Sequence, residues 1–261
     1  MVENFIKSIA NQKKKTLVDY KKFLSDVDAA YAETRPSEKF QVKKTFSPST
    51  LGYNHGTCAR FWWLAFTGGV WKEEVSGKAI ANMENGTYAH SRLEKFISKT
   101  EFFKESEREI LSIDPPIRGF ADLILEQDGA EVVGEIKTIK EQYYLDKEMT
   151  RTPNDSHLLQ ILIYMKVLKA KEGFLMYENK NTQDLMVIPV HMSKQMKDYM
   201  AYVWEWLRET NKAFQLGTIP KNVFRKNAKI CGKCPLKDMC REAAEGTIEI
   251  KPLEVSIEKM L

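Results

Sequence analysis

Two apolar, β-branched runs lie between Arg118 and Lys140, and the pair Asp128-Gly129 separates them. An Asp-Gly pair between two such runs is the strongest short-range signal for a β-hairpin. The pattern therefore predicts two antiparallel strands that pair outward from this turn.

The predicted turn also determines the register of the hairpin. Counting outward places Asp122 directly opposite Glu135, and Lys137 lies on the same face because side chains alternate along a strand. Carboxylates about 5 Å apart at their Cβ atoms repel each other, and apolar surroundings increase that cost. A divalent cation offsets it, and Mg²⁺ and Mn²⁺ prefer carboxylate oxygens. The hairpin thus predicts a Mg²⁺ or Mn²⁺ site.

Helical spacing of apolar positions predicts helices on both sides of this hairpin. Before it we expect a helical arm over 1–31, an aromatic helix led by Cys58, and a helix over 86–99 with His90 near its first turns. After it we expect a helix over 157–170, strands over 173–177 and 185–190, and an amphipathic helix over 193–215. This order predicts an α/β or α+β fold with a mixed central sheet flanked by helices.

Breaks in these patterns divide the chain into three predicted segments. Arg35-Pro36 and Ser47-Pro48 interrupt the helical spacing that follows the arm. We predict an N-terminal helical arm at 1–45, a core at 46–225, and a cysteine segment with its tail at 226–261. The cysteine segment and its tail are expected to pack with the core as one unit.

Composition and charge narrow the class of protein only a little. A chain of 261 residues can bury a substantial core, and its 43% hydrophobic and 29% charged residues are ordinary for a globular protein. No apolar run approaches the roughly 20 residues of a membrane helix, and the first residues lack a signal-peptide pattern. We therefore expect an intracellular, cytoplasmic protein without a membrane partner. The net charge of +4 does not demand a nucleic-acid partner, although Lys43-Lys44 and Lys221-Arg225-Lys226 form local basic patches.

The four cysteines of the chain form one candidate metal site. Cys231, Cys234 and Cys240 have C-x₂-C-x₅-C spacing, whereas Cys58 lies far away on the N-terminal side. Structural disulfides are rare in intracellular proteins, where tight thiol clusters more often bind metal. Zinc commonly has two CxxC pairs, and an iron–sulfur cubane accepts one remote cysteine beside three local ones. The spacing alone leaves both metals open.

Phe61, Trp62, Trp63 and Phe66 follow Cys58 at helical spacing. Such rings stack on exposed bases in single-strand binders, but aromatics at this spacing usually pack in a core. We predict packing for this run.

Six motifs in one order resemble the RecB-like branch of the PD-(D/E)XK nucleases, specifically the iron–sulfur type of the CRISPR-associated Cas-four nucleases and AddB. They are SPSTL leading into Cys58-Ala59-Arg60, His90 in GTYAH, Asp122 in GFAD, Glu135-Ile136-Lys137, Gln160 with Tyr164, and the terminal cysteine triplet. Ala59 departs from the pattern, since relatives often have proline there, but the cysteine itself is kept.

This resemblance implies a restriction-endonuclease-like fold and a catalytic site. His90, Asp122 and Glu135 would bind the catalytic Mg²⁺ or Mn²⁺ together with the carbonyl of Ile136. Lys137 would orient or activate the attacking water.

The resemblance also implies two further groups of residues. Gln160 and Tyr164 would position the DNA strand, although without the other motifs they would simply border an amphipathic core helix. A [4Fe-4S] cluster, with Zn²⁺ as the alternative, would be bound by Cys58, Cys231, Cys234 and Cys240.

The implied activity is that of a metal-dependent DNA exonuclease on single-stranded or frayed ends, in recombination, repair, replication or CRISPR-type DNA processing. A structure-specific endonuclease would share every catalytic residue, and a DNA-end-binding recombination partner would use the same core without cleavage. DNA is the expected partner, with recombination or CRISPR-adaptation proteins as further candidates.

Overall fold

The computed structural model describes residues 17–73, 75–224 and 228–261. Residues 1–16 of the predicted arm, and Arg225 and Lys226 of one basic patch, lie outside the described residues. Contacts divide the chain into two units, Met1–Ser37 with Glu74–Met83 and Glu38–Glu73 with Glu84–Leu261.

Helix α1 (Tyr20–Glu33) belongs to the smaller unit and lies mostly within the range predicted as a helical arm. The carboxylate of Asp19 accepts the backbone N–H groups of Lys21 and Lys22, each at 3.1 Å, and so caps the first turn. Asp28 Oδ1 accepts the backbone N–H of Lys78 at 3.1 Å. This bond joins the two segments of the unit.

The remaining helices and strands follow in chain order. They are β1 (Glu38–Gln41), α2 (Pro48–Leu51), a 3₁₀ turn (Asn54–Thr57), α3 (Ala59–Thr67), β2 (Gly69–Lys72), α4 (Gly77–Ile97), β3 (Phe103–Ser112), β4 (Ile117–Gln127), β5 (Ala130–Ile139), α5 (Glu141–Thr150), α6 (Asp155–Leu168), β6 (Glu172–Asn179), β7 (Leu185–His191), α7 (Lys194–Gln215), α8 (Lys229–Gly232), α9 (Lys237–Glu242) and α10 (Ile257–Met260).

The central sheet has five strands in the order β3-β4-β5-β6-β7. Neighbouring strands are antiparallel except β5 and β6, which are parallel. Parallel neighbours need a long crossover, and α5 and α6 supply it. The mixed sheet with flanking helices confirms the predicted fold class.

The hairpin of β4 and β5 has the predicted register, since Gln127 pairs with Ala130. Asp128 and Gly129 both have positive φ, 52° and 77°, as a type I′ turn requires. Pairing continues to Leu123 and Gly134 and then stops, one step before Asp122 and Glu135.

Buried side chains fill the space on both faces of the sheet. Helix α6 is buried at every position from Leu158 to Met165, as expected of a helix that is apolar nearly all round. The other face has a smaller cluster to which α4 contributes Leu93, beside Leu123, Ile136 and Phe174. The sheet therefore separates two cores, and α4 and α6 bring their polar residues to it from opposite sides.

The aromatic run packs as predicted. Phe61, Trp62 and Phe66 are buried, and the Trp62 ring lies 5.0 Å from the Phe46 ring. The Lys43 ammonium lies 5.8 and 5.6 Å from the centres of the Trp62 and Trp71 rings. The charge of this lysine therefore makes cation–π contacts within the fold.

Helix α4 corrects one prediction, because it begins at Gly77 rather than at Gly86. The pair Gly86-Thr87 has low helix propensity and imitates a helix start. The real start is capped by Ser76 Oγ, which accepts the backbone N–H of Ala79 at 3.3 Å. His90 consequently lies in the second half of the helix, not near its first turns. Within the described ranges, no helix combines the length and apolar character needed to cross a membrane.

Replacing Gly56 by alanine tests the packing that leads into α3. A Cβ at this buried position would lie 1.8 Å from the carbonyl oxygen of Thr50, which is backbone and cannot rotate away. We expect Gly56→Ala to lower the free energy of unfolding by about 1–3 kcal/mol, measured by urea denaturation. Gly86→Ala is the control, because its nearest contact is 3.8 Å away, and it should stabilise by about 0.5–1 kcal/mol. Equal stability of the Gly56→Ala variant and the wild type would contradict this packing.

Candidate active site

The candidate site lies where strands β4 and β5 separate. Beyond the last ladder pair, the backbone N–H of Ile136 donates to Asp122 Oδ2 at 2.6 Å. A side-chain oxygen, not a backbone carbonyl of β4, therefore satisfies this buried N–H. The carboxylate of Asp122 occupies the fork between the strands and links them.

Asp122 also connects the fork to helix α4. Its Oδ2 lies 3.6 Å from His90 Nδ1, and the residue is only 8% exposed. Burial raises the pKa of the Asp122 carboxyl, against the opposing effects of His90, the Ile136 N–H and Lys137. Negative charge at this position is therefore incompletely compensated.

Glu135 is the most deeply buried acid of the site, with 2% of its surface exposed. Its Oε1 accepts from Lys137 Nζ at 2.5 Å and from Gln160 Nε2 at 2.6 Å. Its Oε2 is buried and has no hydrogen-bond partner among the described residues. Burial raises the pKa of Glu135 to about 8; Asp122 adds to the shift, and Lys137 and Gln160 oppose it.

Helix α6 places Gln160 and Tyr164 beside this carboxylate, on one face as their four-residue spacing predicts. Gln160 Nε2 donates to Tyr164 Oη at 2.8 Å as well as to Glu135. Burial raises the pKa of Tyr164, and the charges of Glu135 and Asp122 add to the effect. The predicted site residues thus form two adjoining groups, one around Asp122 and one around Glu135.

Two further acids, Glu94 and Glu107, lie near Asp122 and were missed from the sequence. Burial raises the pKa of each, the charge of Asp122 adds to the rise, and His90 opposes it. Glu107 has φ 53° at the β3 position that would otherwise pair with Asp122. Glu94 lies one helical turn after His90, which is the one signal that could have indicated it.

The donor set of His90, Asp122 and Glu135 fits a hard divalent cation in its chemistry. Glu135 Oε2 is a buried acceptor without a hydrogen-bond partner among the described residues, and burial raises the pKa of both carboxyls, so a bound cation would stabilise their charged forms. In the part of the chain that the structure describes, no three His, Cys, Asp or Glu side chains form a complete metal-binding group. The ligand set therefore stays a prediction.

The second candidate site consists of Cys58, Cys231, Cys234 and Cys240, here called the cysteine group. All four thiols are free. Burial raises the pKa of Cys58 to about 11 and that of Cys234 to about 12, and the neighbouring thiols of the group add to both shifts. The Cys58 thiol therefore acts electrostatically on Cys234 from the opposite end of the core, although the four thiols do not form a complete metal-binding group among the described residues.

Arg60 joins the cysteine group to helix α3. Its buried guanidinium donates from Nε to Cys240 Sγ at 3.2 Å. It also donates to the backbone carbonyls of Pro220 at 2.9 Å and Ala244 at 3.0 Å. These bonds hold the C-terminal segment against α3 through protein groups alone.

Residues 98–241 match the family model described as the PD-(D/E)XK nuclease superfamily. The match contains Asp122, Glu135, the helix with Gln160, and the C-terminal cysteines. It does not include His90 or Cys58.

Three solved structures are similar to this chain. The alkaline exonuclease LHK-Exo from Laribacter hongkongensis is 10% identical with a TM-score of 0.50, over 74% of this chain and 95% of that chain. LHK-Exo in complex with dAMP is 13% identical with a TM-score of 0.47, over 74% and 93%. SSO0001 is 18% identical with a TM-score of 0.42, over 84% and 96%. At these identities the likeness concerns the fold alone.

Removing the charge of Glu135 tests the electrostatics of the site. Its folded pKa of about 8 exceeds the ordinary 4.5, so its contribution to stability is complete below pH 4.5 and is lost as pH rises through 8. With a metal chelator present, Glu135→Gln should raise the melting temperature at pH 9 and change it little at pH 5.

Glu131→Gln on the same strand is the control with the opposite sign. Arg108 and Lys104 lower the pKa of Glu131 to about 2, so its stabilisation is present above pH 4.5. This variant should melt at a lower temperature than the wild type at pH 9. A Glu135→Gln effect that does not change with pH would contradict the account of the buried carboxylate.

Proposed function

Because the chain belongs to the PD-(D/E)XK nuclease superfamily, we propose that it is a divalent-metal-dependent DNA exonuclease of recombination, repair, replication or CRISPR-type processing. The chain is a nuclease, a hydrolase of phosphodiester bonds. The observation that carries the finer proposal is the buried carboxylate of Glu135, which binds Lys137 and Gln160 through one oxygen, while the other has no donor among the residues that the structure describes.

His90, Asp122, Glu135 and the carbonyl of Ile136 would hold Mg²⁺ or Mn²⁺. When bound, such a cation lowers the pKa of a water molecule and offsets charge on the phosphate. Lys137 contributes a positioned ammonium, because Glu135 Oε1 fixes its Nζ at 2.5 Å. This ammonium orients the attacking water and donates to the phosphate oxygen on which charge develops.

The low exposure of the Asp122 and Glu135 side chains supports a single-stranded or frayed DNA end as substrate. Asp122 is 8% and Glu135 2% exposed, so little of either carboxylate is accessible to a bulky substrate. A single strand is narrower and more flexible than a duplex and can approach such buried groups more easily. Gln160 and Tyr164 on α6 border the carboxylate and position that strand.

For the cysteine group we propose a [4Fe-4S] cluster, with Zn²⁺ as the alternative. The group has three local cysteines and one remote cysteine, the pattern that a cubane accepts. Burial raises the pKa of Cys58 and Cys234, so thiolates at these positions would be stabilised by a bound metal. Such a cluster would join α3 to the C-terminal segment, beside the bonds of Arg60.

Exchange of Asp122 or Lys137 tests the nuclease assignment. Asp122→Asn and Lys137→Met should each slow cleavage of end-labelled linear DNA in Mg²⁺ or Mn²⁺ by at least about a hundredfold, with unchanged circular dichroism. Lys104→Met is the control, since Lys104 is a surface lysine paired with Glu126 and Glu131. Undiminished cutting by either site variant would refute the assignment.

Circular single-stranded DNA distinguishes the two kinds of nuclease in the same assay. An exonuclease degrades the linear strand and leaves the circle intact. Cleavage of the circle at a comparable rate would replace the exonuclease proposal by an endonuclease.

The visible spectrum tests the cluster. Protein purified without air should be brown, with broad absorption near roughly 400 nm, because thiolate-bound iron has charge-transfer bands that zinc lacks. Cys231→Ser should lose this absorption and melt at a lower temperature, since a structural metal contributes folding energy. A colourless wild-type protein that contains zinc would refute the cluster.

A further inference from the structure

Helix α6 carries a third polar residue on the face that borders the site. His157 precedes Gln160 by three residues and Tyr164 by seven, so the three side chains follow one another along about 10 Å of the helix. The spacing of apolar positions indicated no role for His157.

His157 lies on the same side of the sheet as Lys137. In the parallel pairing of β5 with β6, Lys137 is the partner of Tyr177, so both side chains project from one face. His157 Nδ1 lies 3.0 Å from Tyr177 Oη. Tyr177 therefore connects the histidine to the strand that bears Lys137.

The hydrogen bonds of Tyr177 determine which nitrogen of His157 carries the proton. Tyr177 Oη accepts the backbone N–H of Asn154 at 3.4 Å, and its own proton has no acceptor within the described chain other than His157 Nδ1. Burial raises the pKa of the Tyr177 hydroxyl, which keeps this proton. This arrangement favours Nδ1 as the acceptor and a neutral ring that is protonated at Nε2.

The surroundings of His157 favour an anion as the partner of this Nε2–H. Burial, with the positive charges of Lys137 and Lys147, lowers the pKa of His157 to about 3, so the ring stays neutral. The same two lysines attract negative charge to this region. Nε2–H makes no hydrogen bond with any of the residues that the structure describes.

We propose that His157 is a DNA-contacting residue whose Nε2–H donates to a non-bridging oxygen of a phosphate next to the one that is cleaved. This inference rests on the proposed function and extends it along the strand. Gln160 and Tyr164 would contact the strand beside Glu135, and His157 would contact it near Lys137, one helical turn before Gln160. A neutral donor held in one tautomer needs no reorganisation when the strand binds.

Single methylphosphonate substitutions, which remove the charged oxygen of one phosphate, test the contact. They are placed in turn at the three phosphates on each side of the cleavage point. The variants are His157→Ala and His157→Gln, with His191→Gln as the control because His191 is 71% exposed on β7. Melting temperatures establish that each variant is folded.

His157→Ala should cut unmodified DNA about ten- to hundredfold more slowly, the effect of losing one hydrogen bond to a charged group. At one phosphate position the methylphosphonate should slow the wild type by a similar factor and leave His157→Ala unaffected. His157→Gln, which keeps an N–H donor, should recover most of the rate. Equal sensitivity of wild type and His157→Ala at every position overturns the contact, because a merely structural role predicts that result.

Two measurements separate this inference from the nuclease assignment. If the wild type does not cut DNA in Mg²⁺ or Mn²⁺, the nuclease assignment fails. The His157 contact is then tested by fluorescence anisotropy of the same oligonucleotides, where one methylphosphonate position should weaken binding of the wild type and not of His157→Ala. Nitrogen-15 spectra of the imidazoles should show His157 protonated at Nε2, and Tyr177→Phe should release this preference. A proton on Nδ1 in the wild type would overturn the proposal.

Discussion

The side chain of Asp122 stands between strands β4 and β5, and the rest of the site depends on the bond it accepts there. A β-ladder that continued past Leu123 and Gly134 would satisfy the Ile136 N–H with backbone and leave no opening. The Asp122 carboxylate accepts this N–H at 2.6 Å. It therefore links the two strands where their backbone pairing ends, next to Glu135. The cost is a buried carboxylate whose charged form is disfavoured, and this cost is the reason to propose a cation in the fork.

The neighbouring helices and strand β6 supply the side chains of the site that the hairpin does not carry. Helix α4 brings His90 within 3.6 Å of Asp122 from one side, and α6 brings Gln160 within 2.6 Å of Glu135 from the other. The parallel pairing of β5 with β6 adds Tyr177 behind Lys137, and through it His157. The cysteine group is a separate site, held to α3 by Arg60, so loss of the proposed cluster and loss of the proposed catalytic metal should have different consequences.

The hairpin, its register and the faces of its side chains could be predicted because they follow from one turn and a period of two residues. Helices could also be predicted where the apolar spacing was regular. The start of α4 was predicted wrongly because Gly86, which lies inside the helix, resembles a helix start. Glu107 and His157 were missed for a different reason. Glu107 reaches the site through a local change of backbone angle, and His157 through a tyrosine on another strand, and neither relation appears as a pattern along the chain.

The central claim is that the fork between β4 and β5 binds a divalent cation through the two buried acids. Anomalous diffraction from crystals soaked in Mn²⁺ tests it most directly, because manganese is located without reference to activity. The account predicts one strong peak bounded by His90, Asp122 and Glu135, and its loss in Asp122→Asn crystals. Manganese bound only elsewhere on the protein, with none at these residues, would contradict it.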